Sequence, residues 1–149
     1  MIQIIAHRGN LNGPCPEKEN HPDQILLCIE QGFDCEIDVW YHEELGWWLG
    51  HDKPQYSISL DFLRKHATKL WCHCKHLYSL VELLKYPEIQ CFYHQTDDYT
   101  LTSHGNIWVY PGKKVPNDKG ILVMPLESTN EISREFKGIC TDYPMKVKE

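Results

Sequence analysis

Two acidic residues, Glu36 and Asp38, lie in the segment CEIDVW, which is otherwise built from cysteine and β-branched or aromatic residues. Alternate side chains of a β-strand point to opposite faces, so the two carboxylates share one face while Cys35, Ile37 and Val39 share the other. Two like charges side by side are costly unless a cation lies between them. The segment therefore predicts a site for a divalent cation, the alternative being the solvated face of an ordinary amphipathic strand.

Titratable residues also end most of the other apolar segments of the chain. They are His7 and Arg8, His51 and Asp52, His73 and Lys75, His94, Glu127, and Asp142. A single histidine at the end of a strand is usually a hydrogen-bonded surface residue. In a parallel α/β barrel, however, the carboxyl ends of all strands meet at one face, where active sites are built. The repetition therefore predicts one shared site.

The elements that would position these residues alternate between strands and helices. Strands are predicted over IQIIA, FDCEIDVWY, WWLGH, KLWCHCK, IQCFYH, NIWVYPG, ILVMPLE and GICTDYP, with the second and third joined as a hairpin or a strand extension. Helices are predicted over PDQILLCIEQG, over SLDFLRKH after Ser59, over SLVELLKY with Ser79 as N-cap, and over STNEISREFKG. This order predicts a mainly parallel sheet.

Size and charge exclude several classes of protein. The 149 residues, 42% of them apolar, predict one domain over 1–149 that buries a core. The net charge of -6, with no basic cluster before the last few positions, argues against a nucleic-acid-binding protein. No apolar run is long enough for a signal-peptide core or a membrane span, so no membrane partner is predicted.

Cysteine usage points to a reducing compartment. The chain has seven cysteines, an odd number, and no Cys-x-x-Cys pair, which predicts reduced thiols in a cytoplasmic protein. The cluster WCHCKH could in principle hold zinc. On a strand, however, Cys72 and Cys74 would face away from His73, which argues against a structural zinc site.

The order and spacing of the polar motifs resemble the glycerophosphodiester phosphodiesterase family of phospholipase C-like phosphodiesterases. The motifs are HRG at 7–9, EN at 19–20, ExD at 36–38, HD at 51–52 and TDYP at 141–144. The family has a TIM barrel, a fold for which about 250 residues are typical. The resemblance therefore implies an α/β fold in the form of a reduced or incomplete TIM-like barrel with several helices missing.

The resemblance implies hydrolysis of a small, glycerophosphodiester-like phosphodiester. By similarity, His7 and His51 form the acid-base pair, and Arg8 grips phosphate oxygens with its fork of donors. A neighbouring hydroxyl of the substrate would attack first to give a cyclic phosphate, which water then opens. His94 and Asp142 are candidates for contact with the substrate, although a turn cluster in HQTDDYT is the plainer interpretation of His94.

The resemblance also implies a metal site, with one departure from the family pattern. Glu36 and Asp38 would bind Mg²⁺ or Ca²⁺, and Glu19 would join them directly or through water, on a loop that Asn20 orders. The family has Glu-x-Lys where this chain has His73 and Lys75. Lys75 would still reach the phosphate. As a ligand, His73 removes one negative charge and favours transition metals, so Mn²⁺ is a further candidate.

Two classes of function compete on these observations. Retention of both motif histidines favours a metal-dependent phosphodiesterase. The imidazole in KLWCHCK and the missing barrel segments favour a non-catalytic phosphate- or metal-binding module on the same scaffold.

A homodimer is predicted from the connections HQTDDYTLTSHG and KKVPNDKG, which lack a helical pattern. Parallel strands need cover on both faces. If His94 points into the site, Cys91 and Tyr93 point outward, together with either Ile107 and Val109 or Trp108 and Tyr110. These residues would form an exposed apolar patch, which a second chain would cover unless the two connections fold back over it.

Overall fold

The computed structural model describes residues 2–113, 119–124 and 136–148. Over these ranges the chain has a mixed α/β fold in which ten strands form one sheet, eight of them curled into a half-barrel. The strands are β1 (Gln3–His7), β2 (Asp34–His42), β3 (Gly46–Leu49), β4 (Tyr56–Ile58), β5 (Leu70–Cys74), β6 (Cys91–Tyr93), β7 (Tyr99–Leu101), β8 (Ile107–Val109), β9 (Gly120–Val123) and β10 (Gly138–Thr141).

Four helices lie in the described ranges: α1 (Pro22–Glu30), α2 (Leu60–Lys65), α3 (Leu77–Leu83) and α4 (Pro144–Lys148). The predicted helices over 22–32 and after Ser59 are confirmed, with the Ser59 hydroxyl capping Phe62 N–H at 3.0 Å. None of the described helices has the length and apolar composition needed to cross a membrane.

The half-barrel is mainly parallel, as predicted. Its strands follow the order β6, β5, β2, β1, β10, β9, β8, β7, and all but β7 run in the same direction. The predicted hairpin between β2 and β3 is confirmed, and the unpredicted β4 adds a third antiparallel strand to it. The register sets His7 beside Glu36 and Asp38 beside His73. The candidate residues thus meet at one end of the sheet.

Alternation along the strands divides the core into two sides. On the convex side Cys35, Ile37 and Val39 pack with side chains from α1, α2 and α3, which confirms the predicted outer face of β2. Cys72 and Cys74 belong to the same cluster, on the side of the sheet opposite to His73. The concave side is floored by Ile5, Trp71, Phe92, Trp108, Ile121 and Cys140.

Two details of the predicted elements are wrong. α3 begins before Ser79, because His76 is its N-cap and accepts from Ser79 N–H through Nδ1 at 3.1 Å; Ser79 is the third helical residue. The connection HQTDDYTLTSHG has no helix, as expected, but it contains β7, a short strand antiparallel to β8. Residues 128–135 of the predicted fourth helix, and Glu127, lie outside the described residues.

The apolar patch on which the homodimer was predicted is absent from the described part of the chain. Cys91 and Val109 are buried and Tyr93 and Ile107 are half-buried, because the single chain packs against them from the convex side. The homodimer itself stays a prediction. Exposed apolar side chains lie on and next to α3, at Leu77, Tyr78, Val81 and Leu84, and also on and next to the β7–β8 pair, at Tyr99, Leu101 and Tyr110.

The cap of α2 gives a direct test of this fold. Ser59→Ala should lower the free energy of unfolding by about 1 kcal/mol, because it leaves the Phe62 N–H without its side-chain acceptor. Ser57→Ala is the matched control, since Ser57 is also exposed but lies on β4, two residues before the capping position. Chemical denaturation monitored by circular dichroism measures both values. Equal effects would show that the cap contributes nothing.

Candidate active site

A cavity of about 450 Å³ opens at the carboxyl end of the parallel strands. Its lining includes eight residues that the sequence predicted for the site, namely His7, Arg8, Glu36, Asp38, His51, His73, Lys75 and His94. The other lining residues are Gln95, Trp108, Tyr110, Pro111 and Val123. The structure therefore brings together the predicted site residues except Glu19 and Asp142, which lie behind the lining, and Asp52, which is exposed beside His51. Glu127 lies outside the described residues.

The two carboxylates of β2 are almost fully buried, with Glu36 2% and Asp38 1% exposed, so the solvated-face alternative is wrong. Burial raises the pKa of Glu36, and the neighbouring charge of Asp38 raises it further. Burial alone would also raise the pKa of Asp38, but hydrogen bonds and charges from His51, His73 and Lys75 hold it well below its usual range. Asp38 is thus the fixed anion of the site.

Nitrogen atoms from several parts of the chain lie near the oxygens of the Asp38 carboxylate. Asn20 donates Nδ2–H to Oδ2 at 2.9 Å and accepts Asp38 N–H at 2.9 Å through Oδ1, which confirms that Asn20 ties its loop to β2. His73 Nδ1 lies 3.2 Å and Lys75 Nζ 3.8 Å from Oδ1. His51 Nδ1 lies 3.5 Å from Oδ2.

A group of three side chains could hold a metal ion. One ligand atom each from Glu36, Asp38 and His73 lie within 4.8 Å of one another. His73 Nε2 donates to the His94 backbone oxygen at 3.3 Å, because a carbonyl can only accept. His73 Nδ1 faces Asp38 Oδ1 at 3.2 Å, and because two acceptors would repel each other, either a proton on Nδ1 or a cation lies between the two atoms. The ring stacks on Phe92 with centroids 5.1 Å apart, which fixes its plane.

One buried oxygen of this group has no hydrogen bond. Glu36 Oε2 has no hydrogen-bond partner among the described residues, and His7 Nε2 is 3.7 Å away from it. A buried carboxylate oxygen without a donor is costly. Two carboxylates and an imidazole fit a divalent cation such as Mg²⁺, Ca²⁺ or Mn²⁺, so the residues present fit the predicted cofactor.

His7 is oriented by Asp142, which the sequence predicted to contact the substrate. Its Nδ1–H donates to Asp142 Oδ1 at 2.9 Å, which leaves Nε2 facing Glu36 and the cavity. Burial alone would lower the pKa of His7, but the hydrogen bond to Asp142 and the charge of Glu36 outweigh it and raise the pKa. Asp142, predicted as a substrate contact, therefore positions His7. Asn10, which sequence reasoning missed, bridges Asp142 Oδ1 at 2.8 Å and Glu19 Oε2 at 3.0 Å.

Arg8 connects the histidine of the HD motif with Glu19. A positive φ of 55° at Arg8 turns the chain sharply after β1. Its Nη2 donates to His51 Nε2 at 3.0 Å, and its Nη1 donates to Glu19 Oε1 at 3.2 Å. Glu19 also accepts from Asn10 and from Cys15 N–H, and it lies outside the group of three side chains that could hold a metal ion. In this structure Glu19 holds Arg8, and its role as a metal ligand stays a prediction.

The wall opposite the charged residues is aromatic. Trp108 lies at its base, stacked on Phe92 with centroids 4.6 Å apart, and His94 and Tyr110 stand above it with centroids 6.2 Å apart. The sequence placed His94 at the site but offered Trp108 and Tyr110 only as patch residues. Strand alternation from His94 could not decide which pair on β8 faces inward.

Comparison of the chain with protein-family models, with curated proteins and with solved structures gives no match. The resemblance to glycerophosphodiester phosphodiesterases therefore rests on the sequence motifs alone and stays a prediction.

The metal assignment is tested by replacing both carboxylates with their neutral amides. The Glu36→Gln, Asp38→Asn double variant should lose at least about 100-fold in affinity for Mn²⁺, Ca²⁺ and Mg²⁺, more than changes in outer-shell partners typically cost. Isothermal titration calorimetry measures the affinities, and circular dichroism checks that the variant is folded.

Two single variants make this test selective. Glu43→Gln, an exposed change outside the site, should leave the affinities unchanged. Glu19→Gln should change them little, because Glu19 lies outside the group of three; a loss as large as that of the double variant would restore Glu19 as a ligand. Undiminished affinity in the double variant would place the ion elsewhere.

Proposed function

We propose that this chain is a metal-dependent phosphoric diester hydrolase acting on a small, glycerophosphodiester-like substrate. The observation that carries the proposal is the buried, unpartnered Glu36 Oε2 beside Asp38 and His73, with two differently oriented histidines at the same cavity. A site that only bound a metal ion would need the group of Glu36, Asp38 and His73 but not the two histidines. A phosphodiesterase needs an acid and a base as well.

His7 is suited to act as the general base. Its Nδ1–H is engaged by Asp142, so the lone pair of Nε2 is directed at the cavity and can take the proton of the attacking hydroxyl. The raised pKa of His7 makes it a stronger base than an ordinary histidine. The Asp142 carboxylate also stabilises the imidazolium that forms, and Asn10 holds that carboxylate in place.

His51 is suited to act as the general acid. Because Arg8 donates to Nε2, the proton of neutral His51 is on Nδ1, toward Asp38. When Arg8 turns to a bound phosphate, Nε2 is free to carry a second proton, which it gives to the leaving alkoxide. Arg8 and Lys75 together neutralise the phosphate oxygens. A divalent cation held by Glu36, Asp38 and His73 would supply further charge neutralisation there.

The same proposal includes the finer features of fold and location. We propose that the half-barrel is an incomplete TIM-like barrel, supported by seven parallel strands whose polar residues gather at their carboxyl ends. A cytoplasmic location is supported by the cysteines, all within the described residues, of which none is paired and six are buried.

A non-catalytic phosphate- or metal-binding module is the second candidate. It is favoured by the contact of Arg8 Nη2 with His51 Nε2, which blocks the nitrogen that the acid needs. Assays with bis-p-nitrophenyl phosphate and with glycerophosphodiesters, with and without Mn²⁺, Mg²⁺ or Ca²⁺, separate the two candidates. Binding of phosphate and metal with no turnover of any of these diesters would favour the module.

The two histidines should each be required for turnover. His7→Ala and His51→Ala should each lower kcat for bis-p-nitrophenyl phosphate by about 100-fold or more, the usual scale for losing a general acid or base. His104→Ala is the matched control, because His104 is exposed and bonds only the Pro87 backbone oxygen. Steady-state kinetics at saturating metal measures kcat. Turnover of either active-site variant within a few-fold of wild type would remove that histidine from the mechanism.

The imidazole ligand should decide which metal supports the reaction. His73→Glu restores a hard carboxylate, so it should raise the activity with Mg²⁺ or Ca²⁺ relative to the activity with Mn²⁺. The ratio of kcat/KM values for the metals, compared with wild type, measures this change. His73→Gln controls for the loss of imidazole without gain of charge. An unchanged ratio in His73→Glu would make His73 a bystander.

A further inference from the structure

The cavity is divided into two halves of different chemistry. One half presents the charged groups of β1, β2 and β5, among them Arg8, Glu36 and Lys75. The other half presents Trp108, Tyr110 and His94, with Pro111 and Val123 beside them. Its volume of about 450 Å³ lies within the range of about 300–1000 Å³ typical of small-molecule sites. A ligand anchored by its phosphate in the first half would extend into the second.

The aromatic half is held in a defined shape by the surrounding structure. Trp108 is buried and stacked on Phe92, so it forms a fixed floor. Tyr110 follows β8, and its backbone is fixed on both sides: its N–H donates to the Asp98 oxygen at 2.8 Å, and its oxygen accepts from Lys113 N–H at 3.0 Å. Tyr110 is nevertheless 47% exposed, and it lines the cavity. Its backbone is therefore fixed beside the cavity, where its ring is accessible to a ligand.

From this division we infer that the substrate carries a planar aromatic group, an aryl or heteroaryl ester of the phosphate, which packs against Tyr110 above Trp108. The inference rests on the proposed function, because the phosphate must bind in the charged half. Aromatic rings contact other rings more favourably than they contact alkyl chains of similar area. Tyr110 is thus a residue that determines specificity, with Trp108 as its support.

The charges around the cavity argue against a cationic group in that half. Tyrosine and tryptophan faces also bind ammonium ions. However, the charged residues among the described lining, Arg8, Lys75, Glu36 and Asp38, all lie in the other half, so the aromatic half presents no carboxylate of the lining to pair with a cation. A neutral ring needs no such partner.

Calorimetry with two phosphodiesters of equal charge tests the inference. Diphenyl phosphate and dibutyl phosphate are both monoanions with large apolar groups, and only the first is aromatic. In the presence of Ca²⁺, diphenyl phosphate should bind at least about fivefold more tightly, and Tyr110→Ala should weaken its binding about tenfold, the scale of ring stacking. Binding of dibutyl phosphate by Tyr110→Ala should change less than about twofold, since stacking is absent from it.

Two further variants and one further ligand complete the design. Tyr110→Phe keeps the ring and should retain the preference. Tyr78→Ala removes an exposed tyrosine on α3, away from the cavity, and should change neither affinity. Equal weakening of both diesters in Tyr110→Ala, no preference in the wild type, tighter binding of phosphocholine than of diphenyl phosphate, or no binding of either diester would each overturn the inference.

Turnover separates this inference from the proposed function. A preference for diphenyl phosphate that depends on Tyr110, without hydrolysis of bis-p-nitrophenyl phosphate, would support the aromatic site and reject the hydrolase. Metal-dependent hydrolysis without that preference would support the hydrolase and reject the aromatic site.

Discussion

The buried charge of Asp38 is the constraint on which the rest of the site depends. A carboxylate that is 1% exposed must be compensated by nearby donors or cations. Here the compensation comes from the loop after β1 through Asn20, from the segment after β3 through His51, and from β5 through His73. Because these segments are far apart in the chain, the carboxylate fixes their relative positions. The same contacts set the orientation of both rings.

The two buried carboxylates differ in how well they are satisfied, and this difference has a chemical meaning. Asp38 is surrounded by donors, and its pKa is low because of them. Glu36 is similarly buried but has one oxygen without a hydrogen bond, and burial and the charge of Asp38 raise its pKa. An incoming cation would therefore satisfy Glu36 most, while Asp38 is already positioned to share it. The side chains around the two carboxylates therefore supply only part of the positive charge that would compensate them.

The sequence was informative wherever a local rule decides the structure. Period-two alternation placed Glu36 and Asp38 on one face, and strand ends placed His7 and His73 at one rim. Sequence reasoning failed where a contact depends on distant or unusual geometry. The bond from His7 to Asp142 joins residues 135 positions apart, and the reach of Arg8 to His51 follows a positive φ that no residue type demanded. Similarly, β4 and β7 are three residues long and have no buried residue, so their segments lack the apolar run that marks the equally short β6 and β8.

The position of β1 in the sheet has a consequence for how the chain folds. β1 lies between β2 and β10, and Gln3 pairs with Gly138, so two central strands come from opposite ends of the described chain. Such pairing has a high contact order, which slows folding because a long loop must close before the contact forms. A ribosome-bound chain that lacks β10 would leave one edge of β1 open, and His7 would have no Asp142 beside it. The hydrogen bond between His7 and Asp142 can therefore form only after β10 and the residues that follow it have been synthesised.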